Sequence, residues 1–212
     1  MPSPSAARRC GRAGDQPVSA AGPPRPLPTG GGPVPAASPP GPLPTGGGPV
    51  PTAGPPRPLP TGERTVPADW IDYNGHMMDG YYSIAFTEAT DALLDHLGLG
   101  AAYREQTGSS IYTVESHLCF FRSVRAGVRL RYASQLLGVD AKRLHAFHRM
   151  TDAATGDELA ANELMLLHVD VATERVTPMP PQRREAAAAL AAEHGVLPVP
   201  ATAGRCIAMP RR

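Results

Sequence analysis

The run DGYYSIAFTEATDALLDHLG, residues 79–98, places Tyr82, Phe86, Ala89, Leu93 and Leu97 at three- and four-residue steps. That spacing gathers the five on one face of an α-helix, with Glu88, Asp91 and Asp95 on the opposite stripe and Gly98 as the stop. The expected helix runs from Tyr81 to Leu97, and Asp79-Gly80 opens it. A helix with one apolar face needs a sheet to bury it, and the sequence on either side supplies strands of period two. Ser110–Val124 is the first, with Tyr112, Val114, Leu118 and Phe120 expected on one face and Thr113, Glu115 and His117 on the other. Val128–Val139, Arg143–Thr151 and Leu159–Val171 are three more. The breaks at Ala126-Gly127, Asp140-Ala141 and 152–157 are short enough for antiparallel turns. Upstream, Arg64–Ile71 reads as a short strand; downstream, Gln182–His194 reads as an Ala-rich helix ended by Gly195. One strand, one long helix and four antiparallel strands make an α+β fold in which a sheet wraps a central helix.

Composition confines that fold to part of the chain. Residues 1–62 carry 19 of the 26 prolines and 12 of the 22 glycines of the 212-residue sequence, a mixture that cannot build a packed core. They are expected to be a disordered tail, in which Leu-Pro-Thr-Gly recurs at 27–30, 43–46 and 59–62. Each repeat offers too few aliphatic side chains to stack, so the segment reads either as a linker or as a Pro-rich docking ligand. The expected domain occupies 63–195, and 196–212 an irregular C-terminal tail.

Charge divides along the same boundary. The tail has five Arg against Asp15, while 63–212 has 15 basic and 18 acidic residues, the reverse of a nucleic-acid binder with a basic folded face. Cys10, Cys119 and Cys206 form neither a CxxC pair nor a disulfide framework, which fits a reducing cytoplasm. Arg8-Arg9 is followed by Gly/Pro-rich sequence and not by an apolar export region, and no segment reaches the roughly 18 apolar residues of a membrane span. The expectation is a cytoplasmic protein with no nucleic acid or membrane partner.

Between the first strand and the long helix lies Asp72-Tyr73-Asn74-Gly75-His76. Its position near a helix N-terminus offers N–H groups and a positive dipole end, and Asp72 offers a carboxylate. A carboxylate beside N–H donors meets the needs of acyl transfer; a polar turn capped by Asp and Asn is the plainer reading of the same residues.

The run Val66-Pro67-Ala68-Asp69-Trp70-Ile71-Asp72-Tyr73-Asn74-Gly75-His76-Met77, with Tyr82, Phe86 and Glu88 behind it, resembles the 4-hydroxybenzoyl-CoA thioesterase-like hotdog family. Three later blocks, 112–117 (Tyr-Thr-Val-Glu-Ser-His), 140–148 and 163–170, look like its betainyl-CoA thioesterase branch, which accompanies or is fused to carnitine dehydrogenase. The resemblance covers most of 64–195. It implies a five-stranded antiparallel sheet around a long helix, a homodimer or tetramer with its active site at a subunit interface, and hydrolysis of an acyl-CoA without a cofactor. Asp72 matches the catalytic carboxylate, with Asn74, Gly75 and His76 beside it. Glu88 is the second candidate acid, and a solvated acidic face is its alternative reading. Relatives often have Asn shortly after Gly-His-Met, where this chain has Met78-Asp79.

Betainyl-CoA would demand recognition of a quaternary ammonium by aromatic faces and a carboxylate. Trp70, Tyr73, Tyr81, Tyr82 and Tyr112 are the candidate cage, with core packing as the other role open to them, and Glu115 and His117 share a strand face that could line the pocket. Lys142 and Arg143, and Arg122 with Arg125, are candidate partners for coenzyme A phosphates. His145 and His148, three apart in a strand, point to opposite faces and cannot meet on one ion, so no metal site is expected. Thioesterases for other short acyl-CoAs and a non-catalytic acyl-CoA-binding module are the alternatives, and carnitine dehydrogenase is a candidate partner.

Overall fold

The computed structural model describes residues 56–209, so the expectations for the Pro/Gly-rich segment before them, including the first two Leu-Pro-Thr-Gly copies, lie outside the described residues. In chain order the elements are β1 (Leu59–Thr65), a 3₁₀ turn (Ala68–Trp70), α1 (Asp79–His96), α2 (Ala101–Thr107), β2 (Ser109–Phe120), β3 (Arg129–Val139), β4 (Arg143–Asp152), β5 (Glu158–Asp170), β6 (Arg175–Val176) and α3 (Pro181–His194). The antiparallel sheet has the order β1-β3-β4-β5-β2, and the two-residue β6 pairs with β5. Four of the expected strands are present within a few residues of their expected ends, the first is displaced toward the N-terminus with a 3₁₀ turn in place of its second half, and β6 and α2 are added.

The helical periodicity holds. Tyr82, Phe86, Ala89, Leu93 and Leu97 are all buried, and each side chain of Phe or Leu size contributes about 1.5–3 kcal/mol by leaving water. Gly98 ends the helix at φ 65°, a left-handed conformation that glycine adopts without a Cβ clash. The core falls into two clusters along α1. Tyr82, Phe86 and Ala89 pack with Val66, Met77, Leu130 and Tyr132 near the helix start. Leu93, Leu94 and Leu97 pack with Leu99, Tyr103, Leu136, Leu166 and Leu190 near its end.

The first strand departs from expectation. It begins at Leu59 and stops at Thr65, so the third Leu-Pro-Thr-Gly copy is part of the sheet and the expected boundary at 62 falls inside a strand. Proline is tolerated because β1 is a sheet edge, where a missing N–H breaks no ladder, and a bulge between Pro60 and Gly62 absorbs the irregularity. Thr61 then starts a buried polar chain. Its hydroxyl meets Ser134 Oγ at 2.9 Å, Ser134 Oγ meets His148 Nδ1 at 2.6 Å, and His148 Nε2 meets Thr90 Oγ1 at 3.0 Å. Thr90 donates its hydroxyl hydrogen to Phe86 O, so its oxygen accepts from His148 Nε2–H. His148 is thereby a neutral Nε2–H tautomer accepting at Nδ1 from Ser134. Burial agrees, pushing its pKa down to about 4.

A second departure is a bulge in β2 between Thr113 and Glu115, which leaves Val114 outside the pairing register. Period two therefore breaks at that point. Ser116, Leu118 and Phe120 lie opposite Leu164, Asn162 and Ala160 on the α1 face, whereas Glu115, His117 and Cys119 lie opposite Met165, Glu163 and Ala161 on the outer face. Tyr112, opposite Leu167, shares that outer face, and Thr113 does not. The expected grouping of Tyr112 with Leu118 and of Thr113 with Glu115 is thus reversed by one extra residue.

The outer face is partly covered by the C-terminal residues, which form turns without helix or strand. Gly204 N–H donates to Glu163 Oε2 at 2.7 Å, and the Gln135 amide reaches Pro198 O at 3.4 Å. Between those two strands Phe147 is only 2 % exposed. α3 covers the stretch of β3 that β1 leaves unpaired: β1 starts at Leu59 opposite Ser134, and beyond it the Leu136 N–H turns to His194 Nδ1 at 2.9 Å.

Candidate active site

The polar turn between β1 and α1 is a small closed hairpin. Ile71 and Met77 form an isolated antiparallel bridge, and Asp72 N–H donates to His76 O at 2.8 Å. Gly75 N–H donates to Asp72 O at 3.0 Å, with Gly75 at φ 77°, a conformation that would strain any residue with a Cβ. Asp72 holds the turn from inside. Its Oδ1 accepts the N–H groups of Asn74 at 2.8 Å and His76 at 3.2 Å, and its Oδ2 accepts the Asn74 amide at 3.1 Å. Partial desolvation works to raise the carboxyl pKa, but the His76 and Asn74 donors and the nearby imidazole outweigh it and hold the group below the ordinary aspartate value.

That geometry decides which backbone N–H groups are already engaged. Those of residues 74–76 are engaged by Asp72, so Asn74 and Gly75 build the turn and leave no free backbone donor. Met77 and Met78 donate to Val124 O at 2.8 Å and Trp70 O at 3.0 Å, tying the turn to two neighbouring segments. The Asp79 N–H, at the first position of α1, is the next along the chain and has no acceptor among the described residues. Gly80 N–H points to Asp79 Oδ1 at 2.8 Å. At the helix start the Asp79 N–H is thus left free, where the positive end of the helix dipole lies.

Beside the turn is a cleft of about 350 Å³. Its walls are His76 and Met77 from the turn, Asp79 and Tyr82 from α1, and Phe120 through Ser123 from the end of β2. Tyr82 meets Phe120 edge to face, with ring centroids 4.9 Å apart. Asp72 is not on the cleft wall; it belongs to the hairpin that presents His76 there.

Of the expected aromatic cage, Tyr82 alone lines the cleft. Trp70 is 7 % exposed and stacks on Tyr81 at 4.9 Å, with the Arg64 guanidinium over the indole, so both rings serve packing. Tyr73 projects from the hairpin tip at 97 % exposure, and Tyr112 lies on the outer face of β2. Glu115 and His117 share that outer face, away from α1, and His117 Nε2 lies 3.9 Å from Cys119 Sγ. Glu88 is ion-paired with Arg64, whose Nε donates at 2.9 Å, and does not line the cleft. The acidic stripe is otherwise solvent-facing, and desolvation with repulsion from Asp95 and Glu88 raises the Asp91 pKa.

Lys142 and Arg143 occupy the β3–β4 turn, where Arg143 Nε donates to Asp140 Oδ2 at 2.7 Å. The adjoining Leu144 packs with the end of α1, whereas Tyr82 and Met77 pack with its start, so this turn does not border the cleft. Arg122 does, and it reaches Asp157 at 3.4 Å. The residues missed by sequence reasoning, Phe120, Phe121 and Ser123, come from the far end of a long strand that only folding returns to the start of α1. His145 pairs with Glu163 on the outer face while His148 is buried in the core, as their spacing requires. Among the described residues no three His, Cys, Asp or Glu side chains are grouped to hold a metal, and no helix is long and apolar enough to cross a membrane.

Known proteins share this architecture. The model of the thioesterase-like superfamily matches residues 66–189. The betainyl-CoA thioesterase of Pseudomonas aeruginosa is 43% identical over 142 residues, covering 67% of this chain and 89% of that protein. The L-carnitine dehydrogenase/betainyl-CoA thioesterase of Agrobacterium fabrum is 45% identical over 140 residues, 66% of this chain but only 28% of that longer protein. Among solved structures, a putative thioesterase from Pseudomonas putida superposes with TM-score 0.63 at 34% identity, covering 73% of this chain and 99% of that one. A Staphylococcus aureus protein in complex with CoA gives TM-score 0.66 at 26% identity, covering 72% and 97%. A wrapped helix, a closed Asp72 hairpin at its start and a matched stretch that takes in both converge on one assignment: the chain belongs to the thioesterase-like superfamily.

Proposed function

We propose that this thioester hydrolase cleaves a short acyl-CoA, betainyl-CoA first among them, and releases the free acid and coenzyme A. The observation that carries the reading is the Asp72 hairpin at the start of α1, which sets His76 and Met77 on the wall of a cleft beside the unengaged Asp79 N–H, with Asp72 directly behind that wall. The similarity to betainyl-CoA thioesterases over most of the domain supports the acyl group.

In this reading the acyl carbonyl oxygen points at the Asp79 N–H, where the α1 dipole favours negative charge. Asp72 drives cleavage. Its Asn74 and His76 donors hold the carboxyl below the ordinary aspartate value, and it acts either as nucleophile on the carbonyl carbon or as the base that activates water. Oδ2 carries one hydrogen bond against two on Oδ1 and is the freer atom for either role. By the first route the carbon–sulfur bond then breaks, CoA thiolate leaves and takes a proton from solvent, and water hydrolyses the mixed anhydride to restore Asp72; by the second, water adds to the carbonyl carbon as Asp72 takes its proton, and that proton passes to the departing thiolate. His76 stands at the cleft wall, able to bond the departing sulfur. Arg122 is the basic residue best placed for the CoA side of the substrate, in place of Lys142 and Arg143.

The assembly in this reading is a homodimer or larger oligomer. Among the described residues β2 is an unpaired sheet edge of 12 residues carrying exposed Val114, and edges of that length are seldom left bare. A second copy across it would bring further residues toward the cleft, and Tyr112, Glu115 and His117 lie on this strand. The cytoplasm, where Cys119 stays a thiol, is the proposed compartment. Carnitine dehydrogenase is a proposed partner, given the relatives in which both names belong to one chain.

Thiol release from betainyl-CoA and a panel of other short acyl-CoAs, measured with the full chain and with Asp72→Asn, tests the reading. Release that is lost in the variant is expected. Equal release from both would remove Asp72 from its role, and no release from any thioester would leave an acyl-CoA-binding module.

A further inference from the structure

The cleft at the start of α1 has an unusual pairing of chemistries. Its apolar wall is aromatic: Tyr82 is buried and fixed edge to face against Phe120, and Phe121 stands beside it. Both phenylalanines keep exposed ring surface, Phe120 at 52 %. The cleft also holds two residues of opposite formal charge, Asp79 and Arg122. Arg122 is already matched, with its guanidinium 3.4 Å from Asp157. Asp79 has no cationic partner among the described residues, and one of its oxygens is engaged only by the Gly80 N–H of its own helix. The space above Gly80 is open, with nothing within 4 Å of where a Cβ would stand.

We propose that Asp79, Tyr82, Phe120 and Phe121 form the acyl-recognition end of the site and select an acyl group bearing a permanent positive charge. This rests on the hydrolase reading above and assigns its selectivity to residues outside the Trp70, Tyr73, Tyr81 and Tyr112 set. A quaternary ammonium cannot donate a hydrogen bond, so aromatic faces and an unpaired carboxylate are the groups that can hold it in preference to an uncharged isostere. An exposed carboxylate does little for a solvated ion. Once an acyl chain fills the cleft and excludes water from the aromatic wall, the same charge interacts at lower effective dielectric. The Asp79 N–H would meet the carbonyl oxygen of the same substrate, so one residue contacts both ends of a two-carbon acyl unit.

The test compares betainyl-CoA with 3,3-dimethylbutanoyl-CoA, in which carbon replaces the quaternary nitrogen at nearly the same shape. For the full chain kcat/KM should favour the cationic thioester by at least about tenfold, an effect of cation–π size plus one charge. In Asp79→Asn, whose side-chain oxygen keeps the Gly80 bond, that ratio should fall about tenfold, mainly through KM for betainyl-CoA. Phe121→Leu should lower it about threefold. A wild-type ratio near one, or a ratio unchanged in both variants, overturns the inference while leaving the hydrolase intact. If neither thioester is cleaved, equilibrium binding of the two dethia analogues, with methylene in place of sulfur, decides separately. Preferential binding of the cationic analogue that Asp79→Asn abolishes sustains the inference without the hydrolase, and equal binding of both overturns it.

Discussion

The two ends of α1 meet different surroundings although the helix itself is uniform. At its end Leu93, Leu94 and Leu97 are sealed by Leu99 and Tyr103 from the α2 region, by Leu136, Leu144, Leu164 and Leu166 from the sheet, and by Ala187 and Leu190 from α3. At its start the sheet and the Asp72 hairpin leave a cleft, with exposed phenylalanines and an unmatched carboxylate. The closed end has every reason to be stable and none to be reactive. The open end carries exposed aromatic surface and an unengaged N–H, features that cost stability unless something binds there. One end of the helix thus holds the fold together, and the other leaves the room that a substrate needs.

Substitutions that separate the ends test this division. The largest expected effect is at the open end, where Asp72→Asn should lower kcat by about 10²–10⁴-fold, a loss of about 3–5 kcal/mol of transition-state stabilisation. Its urea midpoint should move far less, since the amide oxygen can still accept the Asn74 and His76 N–H groups. At the closed end Leu93→Ala should do the reverse. A cavity at a side chain with no exposure costs about 2–5 kcal/mol, read as a lower urea midpoint. Activity per folded molecule should persist, and a Leu93→Ala protein that is fully stable would contradict the closed-end picture.

Acid supplies the next effect. His148 is held neutral with a pKa pushed down to about 4, against an ordinary value of 6.5, so the unfolded chain binds its proton first. Stability from this group is complete above about pH 6.5 and is lost as pH falls toward 4, to a total of about 3 kcal/mol. His194, whose pKa burial also lowers, adds in the same direction. Urea midpoints from pH 7.5 to 4.5 should fall through that window; a flat profile would contradict the buried chain from Thr61 to Thr90.

Much of this was legible in sequence. The period of α1, the four long strands and the polar hairpin follow from local spacing, which survives folding when one face is buried. What was not legible came from elements whose partners are distant or whose register slips. β1 hides in a Pro-Gly repeat, because only an unpaired edge makes Pro60 harmless and only Ser134 gives Thr61 its partner. The Val114 bulge moves Tyr112 to the outer face, which no alternation rule foresees. Asp79 was visible as a departure from the relatives, but its cleft needs Phe120 and Phe121, about 40 residues away in sequence.

Smaller effects sharpen the comparison. Gly75→Ala should cost about 1–2 kcal/mol from its left-handed φ of 77°, with loss of activity out of proportion to the loss of stability because the hairpin holds Asp72. Tyr132→Phe should leave the urea midpoint unchanged or raise it, since the hydroxyl is buried with no partner among the described residues. Smallest of all, Lys142→Ala in the turn away from the cleft should change KM for an acyl-CoA by less than about twofold, and a large rise would return that turn to the site.

In the proposed reaction the thioester is held and cleaved at the start of α1. A crystal structure with betainyl-dethia-CoA bound tests it most directly. The account predicts the acyl carbonyl oxygen within hydrogen-bond distance of the Asp79 N–H, with the carbonyl carbon facing Asp72 Oδ2. An acyl group seated on the outer face of β2 beside Glu115 and His117, or against Glu88, would contradict it.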